Sequence, residues 1–369
     1  MTEPRTWYDV FPVTRNWVYL DIANKAPLPA AVKTAWLRFL HELHETPGDK
    51  DKWKERAEVL REKIALLIGA VSSEIAFVKN TSEGLNIIAQ SFPWSSGDSV
   101  VVHAREHPNN LYTWLNLRRR GVEVRVVESL GPDIDLNDIL LKIGPSTRMV
   151  AISAVSYCTG QRFDLIRLSE RCRQHRSLLV VDAVQALGVV PFNVTNLGVD
   201  ALVCGPQKGL LCTHGLGFLY CSQPLVQRLT PPYAARSSLA DQSLGCEAPR
   251  FHDDARRFEH GNLNYGGVYA LDSAVDLITD IGHLYISDRV CALTKYLMEL
   301  IDHKGLHCIT PRADDHRAGI VVIKLDDLAR RHAELKSKQF VLTAVEDGLR
   351  IAPHFYNTEE ELEALVNAL

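Results

Sequence analysis

Residues 179–185 read Leu-Val-Val-Asp-Ala-Val-Gln, and residues 201–209 read Ala-Leu-Val-Cys-Gly-Pro-Gln-Lys-Gly. Each segment begins as a short apolar run of the kind found in strands that are buried on both faces of a parallel sheet. The predicted strands are 178–182 and 201–204; the first ends at Asp182, and the second leads into a Gly/Pro turn that contains Lys208. Ligands of such sheets bind beyond the carboxyl ends of the strands. These two charged residues are therefore the first candidates for a functional site.

Strand and helix patterns alternate on both sides of these two segments. Further strands are predicted at 75–79, 99–103, 122–127, 149–155 and 218–221, and helices at 30–43, 50–67, 83–90, 111–119, 166–174 and 268–280. This order predicts an α/β fold in which a large domain contains a mostly parallel, mixed sheet between helices.

The remainder of the chain has a different pattern. Short strands are predicted at 319–324, 340–343 and 349–352 among helices, which indicates a smaller α+β C-terminal domain. We therefore expect an N-terminal segment with a substrate loop at 1–25, a large domain at 26–280 and a small domain at 281–369.

The composition argues against several classes of protein. Of the 369 residues, 46% are hydrophobic and 23% are charged, with a net charge of −4, which is typical of a globular protein. No basic stripe interleaves with aromatic residues, so no nucleic-acid partner is expected, and no apolar run is long enough to span a membrane. Residues 1–15 lack the apolar core of a signal peptide, so we expect a cytoplasmic protein. The eight cysteines form no CxxC pair, and neither a metal site nor a disulfide framework is expected.

Asp182 and Lys208 have two interpretations. They could form a plain ion pair, since buried charge is unfavourable unless it is paired or used. Alternatively, the lysine amine could form an imine with an aldehyde, while the carboxylate keeps a pyridine nitrogen protonated so that the ring accepts electrons. The two residues alone do not decide between these interpretations.

Two further segments follow predicted strands. Residues 80–86, Asn-Thr-Ser-Glu-Gly-Leu-Asn, open a helix, where hydroxyls and free N–H groups can bind a phosphate or simply cap the helix. In the segment 105–110, His107 is either a solvent-facing turn residue or a group that stacks on a flat ring and moves protons.

Near the C-terminus, Arg350 lies inside an apolar run, Leu-Arg-Ile-Ala, at 349–352. A buried arginine needs an anionic partner, and a carboxylate matches its two-pronged geometry. That partner could be a substrate or a structural acidic residue.

Together these segments resemble the class V aminotransferase family of fold-type I pyridoxal-phosphate enzymes, which also contains cysteine desulfurases and proteins similar to isopenicillin epimerase. The resemblance spans nearly the whole chain. It rests on 19–25, Thr81–Glu83, Glu106–His107, Val181–Gln185, Gln207–Lys208, Phe258–Tyr265, Arg350 and Phe355–Glu359.

The resemblance implies pyridoxal 5′-phosphate as cofactor and a role for each matching residue. Lys208 would form the Schiff base, Asp182 would contact the pyridine nitrogen, and His107 would stack on the ring; these three are the implied catalytic residues. Gln185 would contact the ring hydroxyl, and the phosphate site would include Thr81, Ser82 and Gln207. The Asn264–Tyr265 turn would reach the phosphate site of a second subunit, which implies a homodimer with shared active sites. Substrate would be bound by Arg350, through its α-carboxylate, and by Asn24 and Tyr157.

Three departures from the family bear on the reaction. Gln207 stands where many desulfurases have a histidine, and Tyr157 stands where many relatives have an asparagine. Desulfurases also need a mobile cysteine near the region of Arg350, but residues 309–369 contain no cysteine. A persulfide carried by this chain is therefore not expected.

Reactions at the Cα of an amino acid begin in the same way, so these residues do not choose between them. We rank an aminotransferase first, then a lyase that eliminates a β-substituent or cleaves a C–S bond, then an epimerase. A non-catalytic scaffold ranks last, because folding alone would not require Lys208, Asp182 and Arg350 together. The segment 229–257 is expected to shape the substrate pocket.

Overall fold

The computed structural model describes residues 7–129, 131–241, 248 and 250–369. The helices are α1 (Ala30–Glu45), α2 (Lys50–Ile68), α3 (Thr81–Ser91), α4 (Pro108–Leu115), α5 (Leu136–Lys142), α6 (Leu165–His175), α7 (Val194–Leu197), α8 (Gln223–Val226), α9 (Tyr265–Ile281), α10 (His283–His303), α11 (Leu328–Ser337) and α12 (Glu359–Ala368). The strands are β1 (Val18–Tyr19), β2 (Ile75–Val78), β3 (Ser99–His103), β4 (Glu123–Val127), β5 (Thr147–Ser153), β6 (Leu178–Asp182), β7 (Ala201–Cys204), β8 (Gly217–Cys221), β9 (His307–Cys308), β10 (Val321–Lys324), β11 (Phe340–Val341), β12 (Thr343–Val345) and β13 (Gly348–Ile351).

Seven strands form the central sheet in the order β2-β8-β7-β6-β5-β3-β4. The five strands from β7 to β4 are parallel to one another, and β8 is antiparallel to both of its neighbours. The predicted mixed, mostly parallel sheet is therefore confirmed. Its parallel strands end at one edge, and this edge carries Asp182 and the turn with Lys208.

Alternate residues of each strand point to opposite faces of the sheet, as the twofold period of a strand requires. Leu179, Val181 and Leu202 belong to one apolar cluster with residues of α2, α6 and α9. Val180 and Val203 belong to a second cluster with residues of α3 and α4. Because both faces are covered by helices, both sets of positions are apolar, and this explains the uninterrupted apolar runs of the sequence.

A second, antiparallel sheet has the order β12-β13-β10-β9. A third apolar cluster beside it contains residues of α10, α11 and α12. The N-terminal segment joins this part of the chain, since β1 pairs in parallel with β11. The domain boundary at residue 281 stays a prediction.

Two element predictions need correction. A single helix was predicted at 111–119. The structure instead has the shorter α4, which begins at Pro108 and ends at Leu115, followed by a 3-10 helix, Asn116–Arg120. The strand predicted at 340–343 is interrupted at Leu342, because β11 pairs with β1 whereas β12 pairs with β13. Among the described helices, none is both long and apolar enough to cross a membrane.

Candidate functional site

A cavity of about 230 Å³ opens at the carboxyl ends of the central strands. Strand ends, helix starts and one N-terminal loop meet there, so residues far apart in sequence become neighbours. Its described lining is Asn24, Thr81, His107, Asn109, Ser153, Val155, Tyr157, Asp182, Val184, Gln185, Gln207 and Lys208. The sequence had predicted eight of these as site residues, all but Asn109, Ser153, Val155 and Val184.

Asp182 is the last residue of β6, and Lys208 lies in the turn that follows the adjacent parallel strand β7. The Asp182 carboxylate is buried and accepts a hydrogen bond of 2.9 Å from the backbone N–H of Val184. Burial raises its pKa to about 6. Burial likewise lowers the pKa of the Lys208 amine to about 8, and the positive charge of Arg350 acts in the same direction. The lysine is therefore neutral in a substantial fraction of molecules near pH 8.

The Lys208 carbonyl accepts a backbone hydrogen bond from Leu211, but the Lys208 amine makes no ion pair and no hydrogen bond with any described side chain or backbone group. One of the two interpretations of the sequence was a plain ion pair with Asp182. The Lys208 amine and the Asp182 carboxylate do not come within 4.0 Å of each other, so this ion pair is not formed. An amine that is largely buried, has a lowered pKa and has no described partner is suited to react with a carbonyl carbon.

His107 precedes α4 and lies against Tyr157, with the two ring centroids 5.1 Å apart in an edge-to-face arrangement. The His107 Nδ1 accepts a hydrogen bond of 3.2 Å from the backbone N–H of Asn109. Burial lowers the pKa of His107, and the charge of Lys208 adds to this effect. The cavity therefore has a wall formed by a neutral imidazole and a phenol.

The residue before His107 anchors this wall. The buried Glu106 carboxylate accepts hydrogen bonds from the Ser153 N–H at 2.6 Å, the Ser153 hydroxyl at 2.5 Å and the Asn110 amide at 3.0 Å. It also pairs with His103 Nε2 at 2.8 Å, and this pairing helps to lower the Glu106 pKa despite burial. Because Ser153 lies opposite Asp182 in the sheet, Glu106 ties the His107 turn to the strand beside Asp182.

The start of α3 also lines the cavity, through Thr81. The helix is capped by Asn80, whose side chain accepts a hydrogen bond from the Glu83 N–H at 3.0 Å. Thr81 and Ser82 are therefore not the capping residues of this helix. Neither of their hydroxyls makes a hydrogen bond with a described residue, and Thr81, unlike Ser82, lines the cavity.

Gly205 leaves space between Thr81 and Gln207. A Cβ on Gly205 would lie 3.1 Å from Thr81 Oγ1 and 2.5 Å from Gln207 Oε1. The glycine thus preserves a cradle of hydroxyl and amide groups at a helix N-terminus, which is a suitable place for an anion.

The loop after β1 closes the cavity. Gln185 Nε2 donates to the Ala23 carbonyl at 2.9 Å, and the Ala26 N–H donates to the Gln207 carbonyl at 2.7 Å. These two contacts place Asn24 at the cavity wall.

Arg350 lies next to the cavity but is not among the described residues that line it. Its side chain is buried, its Nη1 donates to the Tyr157 carbonyl at 3.0 Å, and its Nη2 lies 3.5 Å from Asp21 Oδ1. Its Nε is buried and has no described hydrogen-bond partner. The structural salt bridge, which the sequence left open, is therefore present, and donors for a second anion remain.

Asn264 and Tyr265 lie outside this cavity. Asn264 caps α9 by accepting from the Gly267 N–H at 3.0 Å, and its amide donates to the Gly215 carbonyl at 3.3 Å. Tyr265 lines a separate, larger cavity of about 830 Å³ together with Arg61 and Glu259. Within one chain, the turn does not contribute to the Lys208 cavity.

The segment 229–257 also differs from its prediction. Its residues 242–247 and 249 lie outside the described residues, and Arg236, Ser237, His252 and Arg256 line the larger cavity rather than that of Lys208. The described part of this segment therefore does not shape the Lys208 cavity within one chain.

The model of the family Aminotransferase class-V matches residues 18–365, almost the entire chain. The chain belongs to the class-V aminotransferase family. The family prediction is confirmed, and the fold, with its cavity at the strand ends, is that of this family.

Individual relatives of this class-V protein have different names. A probable cysteine desulfurase of Methanothermobacter thermautotrophicus is 30% identical, over 97% of this chain and 95% of the relative. The uncharacterized aminotransferase YcbU of Bacillus subtilis is 28% identical, over 99% of this chain and 97% of the relative. Among solved structures, an apo cysteine desulfurase from Thermococcus onnurineus NA1 is 25% identical with a TM-score of 0.90, covering 100% of this chain and 98% of that one.

The cavity of this class-V protein fits pyridoxal 5′-phosphate, the cofactor of the family. The Lys208 amine with its lowered pKa, the buried Asp182 carboxylate and the His107 imidazole all line this cavity. At one end, the free Thr81 hydroxyl and the space beside Gly205 are suited to the phosphate. The described part of the chain contains no group of side chains that could bind a metal ion instead.

The described cysteines of this class-V protein are poor candidates for a sulfur carrier. Cys308 lies in β9, and Cys291 lies in α10. Cys158 is buried beside Ser156, with the two side-chain heavy atoms 3.2 Å apart, and burial raises the pKa of its thiol. None of the described residues that line the Lys208 cavity is a cysteine.

Sequence reasoning had not assigned a role to Asp21 or to Glu106. Both lie in segments that carried the family resemblance, but a lone acidic residue gives no sign of burial. Only the fold shows that Asp21 faces Arg350 and that Glu106 lies beneath His107.

Proposed function

We propose that this class-V enzyme is a pyridoxal-phosphate-dependent aminotransferase that acts on an α-amino acid. The observation that supports it best is that Asp182 and Lys208 lie at the ends of adjacent strands, in a cavity without a thiol among its described lining residues. When bound, pyridoxal phosphate supplies an electron-accepting ring that stabilises negative charge at the substrate Cα.

Lys208 would act as the general base in this reaction. Its amine is neutral in a substantial fraction of molecules near pH 8, as a base that removes the Cα proton must be. Asp182 would hold a proton on the pyridine nitrogen; it is buried and kept in place by the Val184 N–H. His107 would cover one face of the ring and exclude water from it.

The α-carboxylate of the substrate would bind to Arg350. The Nε of this guanidinium has no described partner, and its Nη2 makes only a long contact of 3.5 Å with Asp21 Oδ1. These two nitrogens can therefore donate to both oxygens of a substrate carboxylate. Asn24 and Tyr157, which line the cavity on the same side, would contact the rest of the substrate.

A lyase that eliminates a β-substituent is the second candidate. Relatives named as desulfurases match the chain over nearly its full length, and elimination requires Lys208 but no thiol carrier. A persulfide on this chain is disfavoured, because the attacking group must be a thiolate and burial keeps Cys158 protonated.

The homodimer is also a proposal. The Asn264–Tyr265 turn lies outside its own Lys208 cavity, as it would if it served a second subunit. A cytoplasmic location, expected from the composition of residues 1–15, is likewise a proposal.

Amino-group transfer should be tested on the purified enzyme loaded with cofactor. Each amino acid of a panel is supplied with a 2-oxo acid, and the new amino acid is quantified. Stoichiometric formation of a new amino acid supports the aminotransferase. Release of ammonia together with pyruvate or sulfide, with no transfer, would contradict it in favour of the lyase.

A further inference from the structure

Asp21 is the acidic residue next to Arg350, and its two oxygens differ in their surroundings. Oδ2 accepts hydrogen bonds from the Thr343 hydroxyl at 2.8 Å and from the Asn24 amide at 3.1 Å. Oδ1 is buried, has no described hydrogen-bond partner and lies 3.5 Å from Arg350 Nη2. Asp21 is therefore held mainly by Thr343 and Asn24, and only loosely by the arginine.

Arg350 likewise has a buried polar atom without a described hydrogen-bond partner. Its Nη1 donates to the Tyr157 carbonyl, whereas its Nε is buried without a described partner. A guanidinium in a structural ion pair frequently uses two parallel hydrogen bonds to one carboxylate. The single contact of 3.5 Å instead leaves donors available.

Both side chains are almost completely removed from water, with 3% of the Asp21 and 5% of the Arg350 side chain exposed. Charges in such a place are weakly screened, so a second carboxylate at Arg350 would meet both the attraction of the guanidinium and the repulsion of Asp21. The affinity of Arg350 for an incoming carboxylate thus depends on how much of its charge Asp21 already uses.

We propose that Asp21 is a positioning residue that acts as the resident counter-ion of Arg350 and limits how tightly the substrate carboxylate binds. The inference rests on the proposed function, because it takes Arg350 as the carboxylate site. In the free enzyme Asp21 keeps the buried guanidinium compensated. In the complex Asp21 is retained by Thr343 and Asn24, while the substrate takes the free donors of Arg350. The competing charge of Asp21 thereby favours release of the product carboxylate.

Two substitutions should shift carboxylate affinity in opposite directions. Asp21→Asn removes the competing charge and keeps the size of the side chain, so carboxylate binding should tighten about ten-fold. Thr343→Val removes one hydrogen-bond donor to Asp21. Asp21 should then pair more strongly with Arg350, and carboxylate binding should weaken about three-fold. General loosening of the site would weaken binding in both variants.

The measurement is a titration of the cofactor-loaded enzyme with propionate, a carboxylate that lacks an amino group, followed by cofactor absorbance. Propionamide, its neutral analogue, tests whether charge is responsible. Asp302→Asn, which alters an exposed Asp–Arg pair with Arg312, is the matched control. In steady-state kinetics, Asp21→Asn should lower KM by a larger factor than it changes kcat.

The outcomes separate the two proposals. If Arg350→Ala abolishes propionate binding while Asp21→Asn tightens it and Thr343→Val weakens it, the inference is supported. If Arg350→Ala abolishes binding but Asp21→Asn weakens binding or leaves it unchanged, the role of Asp21 is refuted and that of Arg350 stands. If Arg350→Ala binds propionate like the unaltered enzyme, the carboxylate site of the proposed function is itself refuted, and the role of Asp21 with it.

Discussion

Asp182 and Lys208 stand at the ends of the adjacent strands β6 and β7, and they do not form an ion pair with each other. Both have shifted pKa values, since burial raises the pKa of the acid to about 6 and lowers that of the amine to about 8. A protein that required only a stable fold would pair or replace such groups. Their arrangement is better explained by a ligand that uses both.

The free energy of unfolding of the cofactor-free protein should show the cost of keeping the buried Asp182 carboxylate charged. A raised pKa means that the folded state binds the proton more tightly than the unfolded state; the associated stability is present below about pH 4 and is lost as the pH rises through about 6. Asp182→Asn should therefore be more stable than the unaltered protein at pH 8, by on the order of 3 kcal/mol. The difference should shrink as the pH falls below 6.

Denaturant unfolding at a series of pH values measures this difference. Asp302→Asn, an exposed acidic residue, provides the control and should show little change. Equal stability of Asp182→Asn and the unaltered protein at pH 8 would mean that the Asp182 carboxylate is not strained in the fold.

The rate of cofactor loading should depend on the pH through Lys208. Only the neutral amine attacks an aldehyde, so the rate should rise with pH and level off above about 8, the pKa of the buried amine. Stopped-flow absorbance after addition of pyridoxal phosphate to cofactor-free protein measures it. A rate that continues to rise through pH 10 would indicate an ordinary exposed lysine instead.

Removal of Arg350 should affect substrate binding more than turnover. Arg350→Ala deletes a two-pronged contact to the α-carboxylate, and we expect KM for the amino acid to rise on the order of 100-fold. Steady-state kinetics with Arg312→Ala, from an exposed pair with Asp302, as control checks this. An unchanged KM would place the carboxylate elsewhere.

Cys158 provides a test of sulfur transfer by this chain. Its thiol is buried and its pKa is raised, so Cys158→Ser should retain activity toward amino acids within about two-fold, because a protonated thiol is a poor nucleophile. Sulfide release from cysteine, assayed with and without a reductant, makes the comparison. A complete loss of sulfide release in Cys158→Ser alone would indicate a persulfide at this position.

The sequence predicted the parts of the fold that have strong local patterns. Strands β3, β6 and β7 begin and end where they were predicted, because burial on both faces makes each an uninterrupted apolar run. Strands β1 and β9 have two residues each and were not predicted, since their pairing depends on distant segments. Residues at strand ends, such as Asp182 and Lys208, could be placed for the same reason as the strands.

Contacts between distant segments were harder to foresee. Asp21 and Arg350 are separated by most of the chain, and only the parallel approach of the N-terminal loop to Ala352 brings them together. The apolar surroundings of Arg350 implied an anionic partner, but nothing local distinguished Asp21 from any other acidic residue. Whether the Asn264–Tyr265 turn serves a second subunit likewise depends on a surface outside the single chain.

The most direct test of the account is to locate the cofactor on the chain. The loaded enzyme is reduced with borohydride and digested, and the peptides are analysed by mass spectrometry, with Lys208→Ala as a parallel sample. We expect the reduced cofactor on the peptide that contains Lys208, and no labelled active-site peptide and no turnover in Lys208→Ala. A cofactor attached to another lysine, or full turnover by Lys208→Ala, would contradict the assignment of Lys208 and the mechanism built on it.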